Sequence, residues 1–230
     1  TSTTSAAYSA CYESQTPANC SSGTVKRAAS SATAYGSTIT LVSQLSSNAG
    51  YYASSTATSC TKADAGYYAA AGATSQTSCS TATSSKYTSS AAGSSKIGEC
   101  YLTLTAGKQV ASAGAGASDC AANSYCTSTS KIYYNTDGGT TTYTGTGCPT
   151  AYPKSAAGAK SDEYCYLTLT AGKQVASAGA GASNCSAGNY CTSTGDIYKG
   201  TAGGTTTYTG TQCVAGSYST AGASACTACG

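Results

Sequence analysis

The stretch Cys100-Tyr-Leu-Thr-Leu-Thr-Ala-Gly-Lys-Gln-Val-Ala-Ser-Ala-Gly-Ala-Gly-Ala-Ser118 occurs twice in this chain, the second time unchanged as Cys165–Ser183. Around it, four cysteines of the first copy recur at equivalent positions of the second. Of the 49 positions from Cys100 to Cys148, 39 are identical in the copy that ends at Cys213. A fixed period of this kind is typical of tandem-repeat proteins, in which each unit buries its apolar face on the next.

A shorter motif, Ala-Gly followed by a few residues and a cysteine, underlies the long repeat. It occurs at 49–60, 65–79, 106–120, 171–185 and 215–226. Glycine adopts the positive φ angles that tight turns require. Each occurrence therefore predicts a small turn-and-strand unit that ends at a cysteine.

Alternating apolar and polar residues predict short strands. Residues 101–105 alternate with period two, and so do residues 38–41. Strand-like residues 132–134 and 140–143 flank the turn sequence 135–139, which predicts a β-hairpin with a counterpart at 197–208. No apolar stripe has helical spacing. The sequence therefore predicts a mainly β fold, a disulfide-rich tandem repeat of short strands and hairpins that is elongated and has little helix.

The apolar content is too small for an ordinary aliphatic core. The 230 residues include no His, Met, Trp or Phe, and Leu, Ile and Val together number 15. Yet the net charge is only +3, and the chain carries 14 Cys and 20 Tyr, unlike a self-repelling disordered chain. We expect disulfides, tyrosine rings and contacts between copies of the chain to supply the missing stabilisation.

The even number of cysteines, without any histidine, indicates disulfides formed in an oxidising compartment. Zinc sites made of cysteine alone are the alternative, but only Cys226 and Cys229 have the required spacing, and zinc ribbons need two such pairs. We expect Cys126 to pair with Cys148, and Cys191 with Cys213, around the predicted hairpins. All the cysteines are assigned to disulfides: Cys11, Cys20, Cys60, Cys79, Cys100, Cys120, Cys126, Cys148, Cys165, Cys185, Cys191, Cys213, Cys226 and Cys229.

The chain divides into four parts: an N-terminal segment (1–59), short cysteine-rich units (60–99), a first repeat (100–164) and a second repeat (165–230). The N-terminal segment holds the densest aliphatic cluster, which is either a local β-core or an assembly strand donated to a neighbouring subunit. The second repeat stops where another unit would begin, which predicts a longer array or capping by the next subunit. The cluster consists of Ile39, Leu41, Val42 and Leu45.

The sequence offers no catalytic constellation, so we expect no enzyme, no cofactor and no metal site. The acidic residues are scattered, and the adjacent pair Asp162 and Glu163 would point to opposite faces of a strand. Basic residues are also scattered apart from Lys26 and Arg27, so no nucleic-acid partner is expected. No apolar run approaches the ~18 residues of a membrane span.

Two features of the sequence suggest a surface role. Asn19-Cys20-Ser21 and Asn184-Cys185-Ser186 are sequons, so Asn19 and Asn184 are candidate glycosylation sites. Tyrosines also recur with the period of the long repeat, and they either pack in the core or form a carbohydrate-stacking face. The recurring pairs are Tyr101 and Tyr166, Tyr125 and Tyr190, Tyr133 and Tyr198, and Tyr143 and Tyr208.

The string 213–229, with its turn sequence 215–223, resembles the cysteine-rich repeat of ephrin-receptor-like modules and of many protist and bacterial surface proteins. It is also similar in style to the immobilisation antigens of ciliates. The resemblance covers 60–79 and 213–229, whereas residues 108–110 depart from the tyrosine-containing turn. It implies an extracellular, stalk-like or coat-forming repeat protein without catalytic residues.

These observations together predict a secreted structural protein. We expect the chain to be the subunit of an extracellular filament or surface coat, whose partner is itself in head-to-tail contacts. Covalent glycans are a further expected partner. The alternative is a surface adhesin or binding module for glycans or a receptor.

Overall fold

The computed structural model describes residues 47–54 and 60–230, and the strand backbone of four N-terminal stretches. These stretches form two antiparallel pairs, β1 (Tyr12–Gln15) with β2 (Val25–Ala28) and β3 (Ala32–Ala34) with β4 (Ser37–Ile39). Ile39 ends β4, so the strand predicted at 38–41 overlaps β4 at its first two residues. The other members of the aliphatic cluster (Leu41, Val42 and Leu45) lie outside the described residues, as do Cys11, Cys20 and Asn19.

The described residues form the predicted disulfide-rich β fold of short strands and hairpins, with little helix. The helical elements are α1 (Cys79–Ala82) and two 3-10 turns at Ile97–Glu99 and Asp162–Tyr164. All the strands pair two by two. They are β5 (Tyr51–Tyr52), β6 (Thr61–Lys62), β7 (Tyr67–Tyr68), β8 (Thr77–Ser78), β9 (Tyr101–Thr103), β10 (Lys108–Gln109), β11 (Ser118–Asp119), β12 (Ser124–Tyr125), β13 (Lys131–Tyr133), β14 (Thr146–Gly147), β15 (Tyr166–Thr168), β16 (Lys173–Gln174), β17 (Ser183–Asn184), β18 (Asn189–Tyr190), β19 (Asp196–Tyr198), β20 (Thr211–Gln212), β21 (Ser217–Tyr218) and β22 (Thr227–Ala228).

Three segments, 48–94, 105–159 and 170–223, fold into the same arrangement of three tight turns, which we call the three-turn module. The third residue of each turn has φ between 63° and 88°. Eight of these nine residues are glycines, and the ninth is Asn123, because asparagine also visits the left-handed region. In chain order the turn residues are Gly50, Gly66 and Gly93, then Gly107, Asn123 and Gly158, then Gly172, Gly188 and Gly222.

Six backbone hydrogen bonds connect the three turns, and all six recur in each module. Each module therefore satisfies its turn backbone internally, without long strands. In the third module the six bonds measure 2.8 to 3.1 Å. From the N–H donor to the carbonyl acceptor, they run Gly172 to Cys191, Cys185 to Gly172, Gly222 to Cys185, Cys191 to Ala223, Gly188 to Ser219, and Cys213 to Gly188.

Close approach of the first and third turns also requires glycine. A Cβ atom on Gly172 would lie 2.3 Å from the carbonyl oxygen of Gly222. The same clash would occur between Gly50 and Gly93 at 2.3 Å, and at 2.6 Å from Gly107 to the oxygen of Gly158. The first-turn glycine is therefore fixed both by its backbone conformation and by space.

The predicted hairpin between 132–134 and 140–143 forms only in part: the N–H of Tyr133 donates to the carbonyl of Thr140 at 2.8 Å, but 140–143 forms no strand. β13 pairs with β9 instead, and β19 pairs with β15 in the second copy. The register of β15 and β19 sets Leu167 opposite Ile197, and both side chains are buried. A partner strand of threonines would not bury Ile197 in this way, so the more apolar strand is the partner.

Five disulfides join described cysteines, and their pairing differs from the expected one. Two close short loops inside modules, and three connect a module to the segment after it. Cys191 does not face Cys213, because the N–H of Cys213 donates to Gly188, which precedes Cys191 in the chain. The pairs are Cys79–Cys100, Cys120–Cys126, Cys148–Cys165, Cys185–Cys191 and Cys213–Cys226.

Two further cysteines complete the described set. Cys60 is also disulfide-bonded. Cys229 is free and exposed, which corrects the expectation that every cysteine is in a disulfide. The physical reason is that every other described cysteine is already paired, so none is left to bond Cys229.

The chain separates into two compact units. Among the described residues, the first contains 47–102 except for 55–59, with 112–116 and 131–141, and the second contains 103–111, 117–130 and 142–230. A buried tyrosine organises each. In the first, Tyr87 accepts a hydrogen bond from the N–H of Gly116 at 3.3 Å. In the second, Tyr152 accepts one from Gly181 at 3.1 Å, within a core of Cys165, Leu167, Leu169, Val175 and Ile197.

Candidate functional site

Two surface pockets occupy positions that correspond to each other one repeat period apart. The pocket of the first unit has a volume of about 250 Å³ and is lined by charged residues beside two tyrosines, so we call it the charged pocket. The pocket of the second unit, about 260 Å³, is lined by the turn 156–159, three tyrosines and Gly203, and we call it the neutral pocket. Six lining positions of the charged pocket have counterparts one repeat later that line the neutral pocket.

Each pocket is built on a two-stranded pair and the third turn of a module. Cross-strand tyrosines form one wall in both, with Tyr101 and Tyr133 at a centroid distance of 5.6 Å and Tyr166 and Tyr198 at 5.3 Å. Register explains the contact, since Tyr198 lies directly opposite Tyr166. The ring of Tyr198 also covers Gly203, where a Cβ atom would lie 2.3 Å from it. These contacts fix the rings in place.

The charged pocket already holds a cation against one of its rings. The ammonium group of Lys131 lies 4.3 Å from the centroid of Tyr101, a cation–π distance. Glu99 accepts hydrogen bonds from the backbone N–H and the hydroxyl of Ser95 at 2.8 and 3.0 Å. Asp137 forms an exposed ion pair with Lys96 at 3.7 Å. The polar groups of this pocket therefore have partners within the chain.

The neutral pocket lacks each of those charges. The residues 65 positions after Glu99, Lys131 and Asp137 are Tyr164, Asp196 and Ala202. Tyr164 lines the pocket as a third ring. Asp196 instead accepts a hydrogen bond of 2.7 Å from the Thr168 hydroxyl, which itself accepts one of 3.0 Å from Lys154. No charged side chain is among the residues that line this pocket.

A second recurring tyrosine pair has an unusual hydroxyl environment. The hydroxyl oxygen of Tyr208 accepts hydrogen bonds from the N–H groups of Thr192 and Ser193, both at 3.1 Å. The bond from Ser193, followed by that from Thr192, holds the pKa of Tyr208 below its usual value. For Tyr143, burial raises the pKa, but bonds from Thr127 and Ser128 outweigh it and lower the pKa overall. Both hydroxyls are therefore anchored to backbone.

The remaining candidate residues are dispersed. Asp162 accepts a hydrogen bond from Lys199, and this bond is the main cause of the raised pKa of Lys199. Asn184 is exposed, and its side-chain amide oxygen accepts a hydrogen bond of 2.7 Å from the Lys173 ammonium group. In the described part of the chain no group of three or more His, Cys, Asp or Glu could hold a metal ion.

Residues 214–229 repeat the second turn of a module, and we call them the uncovered layer. The N–H of Cys229 donates to Gly216 at 2.9 Å, as that of Cys213 does to Gly188. Val214 is 75% exposed and Tyr218 54% exposed. In the rest of the described surface, Tyr67 is the one other large hydrophobic residue that is exposed.

The recurring tyrosines were predictable from the sequence, but the difference between the two pockets was not. The structure brings Tyr101 next to Tyr133 and Tyr166 next to Tyr198, all half-buried. It leaves Tyr143 and Tyr208 out of the lining of both pockets. The signal that could have revealed the difference is the Lys131-to-Asp196 change, one of the few differences between the copies.

No family model, no curated protein and no solved structure matches this chain. In the part of the chain that the structure describes, no helix has the length and apolar character to cross a membrane. The five disulfides are typical of proteins that fold in an oxidising compartment.

Proposed function

We propose that this protein is a secreted structural subunit of an extracellular filament or surface coat, which assembles by head-to-tail contacts between copies and is stabilised by disulfides. The observation that carries the proposal is the uncovered layer. It has the backbone geometry of an inner second turn, but it leaves Val214 and Tyr218 in solvent. Large exposed apolar surfaces are typical of interaction sites.

Inner second turns indicate what would cover this layer. The N–H of Gly188 donates to the carbonyl of Ser219 at 3.1 Å, and the Ser219 hydroxyl donates to Asn189 at 2.7 Å. Ser155 and Ser90 make the corresponding hydroxyl bonds in the other modules. Gly216 has the same positive φ, and no described residue accepts a hydrogen bond from its N–H. The proposal assigns this partner to a serine-led turn of a second copy.

Such a contact would propagate. The layer 214–229 differs from the turn that would cover it, so the interface is heterologous, and heterologous interfaces extend into chains unless they close into a ring. The disulfides fit the same role, because cross-links limit the unfolding of a protein that works outside the cell.

Electron microscopy of the native protein tests the proposal. We expect filaments or sheets by negative stain, and light scattering that grows with protein concentration. The Val214→Lys/Tyr218→Lys variant should stay monomeric, whereas a control with Thr194→Lys, an exposed threonine outside the layer, should assemble normally. A monomer at millimolar concentration, with all disulfides oxidised, would overturn the proposal.

Asn184 is the described candidate for a covalent glycan. Its side chain is exposed, which fits modification, but Cys185 beside it is bonded to Cys191. Mass spectrometry of peptides containing Asn184 from native material, with and without glycosidase treatment, decides the point. Unmodified Asn184 in every peptide would remove it from the proposal.

A binding module is the second candidate function, and the two equivalent pockets favour it. Tyrosine rings held in fixed positions at a surface are suited to ligands with an apolar face. A screen of immobilised glycans and cell-surface extracts with the native protein tests this function, since a binding module should be retained on at least one of them. Loss of that retention in Tyr166→Ala would locate it at the neutral pocket.

A further inference from the structure

We propose that the neutral pocket binds a small organic ammonium cation, of which a trimethylammonium group such as that of choline is the simplest example. This inference rests on the second candidate function, a binding module, and is independent of filament assembly. Its starting point is the charged pocket, where the chain's own ammonium group at Lys131 lies 4.3 Å from the ring centroid of Tyr101. The chain thus contains an occupied version of the same site.

The second copy keeps the ring and removes the internal cation. Tyr166 stands where Tyr101 stands, and the lysine is replaced by Asp196. The position that would present an ammonium group to Tyr166 therefore carries a negative charge instead. An external cation can take the place that Lys131 takes in the charged pocket, because the face of a tyrosine ring attracts positive charge.

The aromatic content of the neutral pocket changes in the same direction. Tyr164 replaces Glu99 and adds a third ring to Tyr166 and Tyr198. Several rings around one site are the arrangement that recognises quaternary ammonium groups. The pocket's volume of about 260 Å³ lies just below the range of pockets for drug-sized ligands, so it suits a head group rather than a larger molecule.

Nearby charges do not oppose the cation. Lys154, the bridge partner of Tyr166, donates to the hydroxyl of Thr168, and that hydroxyl donates to Asp196. The positive and negative ends of this chain of hydrogen bonds offset one another. Lys160 is exposed and does not line the pocket. The remaining lining is the alanine and glycine turn 156–159, which adds no charge.

Substitutions that exchange residues between the two pockets provide a matched test. Choline chloride is titrated into the oxidised full-length protein by calorimetry, with 3,3-dimethylbutan-1-ol as the neutral isostere. We expect one equivalent of choline to bind, and the isostere to bind at least tenfold more weakly. Asp196→Lys, which installs the first copy's residue, should weaken choline binding at least tenfold. Lys131→Asp/Glu99→Tyr, which installs the neutral pocket's residues at both positions, should raise the stoichiometry from one to two.

The outcomes separate the proposal from its competitors. Equal binding of choline and the isostere, unchanged binding in Asp196→Lys, or a stoichiometry that stays at one in Lys131→Asp/Glu99→Tyr would each overturn it. Choline binding that is undetectable at 50 mM would also overturn it, as would displacement of choline by a neutral monosaccharide, which would assign the pocket to a sugar. Lys131 and Asp196 are both exposed, so the variants should fold, and equal melting temperatures verify this.

The source of the ammonium group is determined by the same protein in a second arm. Vesicles of phosphatidylcholine present the group at a lipid surface, and free choline presents it in solution. Co-sedimentation with the vesicles that is lost in Asp196→Lys would identify a lipid head group as a ligand. Binding of free choline without co-sedimentation would restrict the site to a soluble cation. Either result, together with the binding of free choline, supports the proposal, and the absence of choline binding overturns it without affecting filament formation.

Discussion

The first three-turn module and the other two join their turns in different ways. The second module has the disulfide Cys120–Cys126, and the third has the equivalent disulfide Cys185–Cys191. The first module has two buried alanines there, Ala63 and Ala69. Yet all six backbone hydrogen bonds are the same in the three modules.

A compensating change accompanies the missing disulfide. Gly210 passes so close to the third-module disulfide that a Cβ atom would lie 2.4 Å from the sulfur of Cys185. Gln76 lies three residues before Cys79 in the first module, as Gly210 lies three residues before Cys213. The Gln76 side chain accepts a hydrogen bond of 2.7 Å from the N–H of Asp64 and donates one of 2.8 Å to the Asp64 carboxylate. The difference teaches that the turn backbone defines the module, whereas the material between the turns is interchangeable.

The largest expected effect concerns the turns that all modules share. Gly172→Ala should destabilise the third module by about 3 kcal/mol or more, because left-handed strain and overpacking against Gly222 add together. Gly50→Ala should affect the first module equally, since its clash distance is the same. Hydrogen exchange followed by mass spectrometry measures each module separately.

Gly216→Ala is the matched control for that experiment. Gly216 has φ of 83°, but no atom lies within 4 Å of the place its Cβ would take. This variant should therefore show the conformational strain alone, about 1 kcal/mol. Equal destabilisation by Gly172→Ala and Gly216→Ala would contradict the role of close turn approach.

Removing the disulfide from the third module should have the next largest effect. The double variant Cys185→Ala/Cys191→Ala reproduces the first module's residues, and the loss of a short closed loop should cost about 2 kcal/mol. The six hydrogen bonds should survive, so the hydrogen-exchange pattern of 170–223 should keep its shape at lower protection. Complete loss of protection across this segment would show that the disulfide, and not the turn backbone, defines the module.

The reverse experiment adds a disulfide to the first module. Ala63→Cys/Ala69→Cys should stabilise it by about 2 kcal/mol only when Gln76→Gly is also present. The reason is that Gly145, which corresponds to Gln76, has room for no Cβ atom beside the sulfur of Cys120. Denaturant unfolding of the double and triple variants compares the two, and equal gains would refute this steric requirement.

A smaller effect is expected from the buried tyrosines between the second and third turns. Tyr152→Phe leaves the N–H of Gly181 without its acceptor and should cost about 1 to 2 kcal/mol, as should Tyr87→Phe for Gly116. The third module has Gly216 at the corresponding position and should be unaffected by either change. Thermal unfolding gives the magnitudes, and an unchanged melting temperature in both variants would contradict the hydrogen-bond argument.

The smallest effect is a pH dependence confined to the second and third modules. The pKa of Tyr208 is lower in the folded protein than its usual value near 10. Ionised Tyr208 therefore stabilises the fold above the unfolded pKa, and this contribution is lost as pH falls through the folded pKa. The stability of Tyr208→Phe relative to the native protein should decline as pH rises toward 10. Unfolding curves at pH 7 and pH 10 measure this, and a constant difference would contradict it.

The first module provides the reference for that pH dependence. Thr74 lies five residues before Cys79 in this module, as Tyr208 lies five residues before Cys213 in the third module. Hydrogen exchange in 48–94 should therefore change equally with pH in the native protein and in Tyr208→Phe.

Sequence alone predicted the fold class and the turn glycines, because positive φ and hairpin alternation are local properties. The motif containing Gly172 and that containing Gly50 both identified true turns. The sequence alone did not predict which strands pair, since the partner of Ile197 is decided by burial against Leu167, which is distant in the sequence. The predicted pairing of the cysteines was wrong for the same reason, because the disulfides follow strand register.

The candidate site was less predictable than the fold. Period alone identified Tyr166 and Tyr198, whose contact follows from cross-strand register. Tyr164 could not be found in this way, because the residue one period earlier is Glu99. What distinguishes the two pockets is the side chain that meets each ring, and this depends on tertiary packing.

The near-identical turns have a consequence for how such a chain can change in length. The segment from the second-turn residue to the third-turn glycine is shortest in the first module (66–93) and longer in the second (123–158) and third (188–222). The hydrogen bonds that close the module are unaffected by this difference, and the entropic cost of a longer loop grows only slowly. Insertions and deletions between the turns are therefore nearly neutral for folding, so the intervening loops are free to acquire new surfaces while the turns stay fixed.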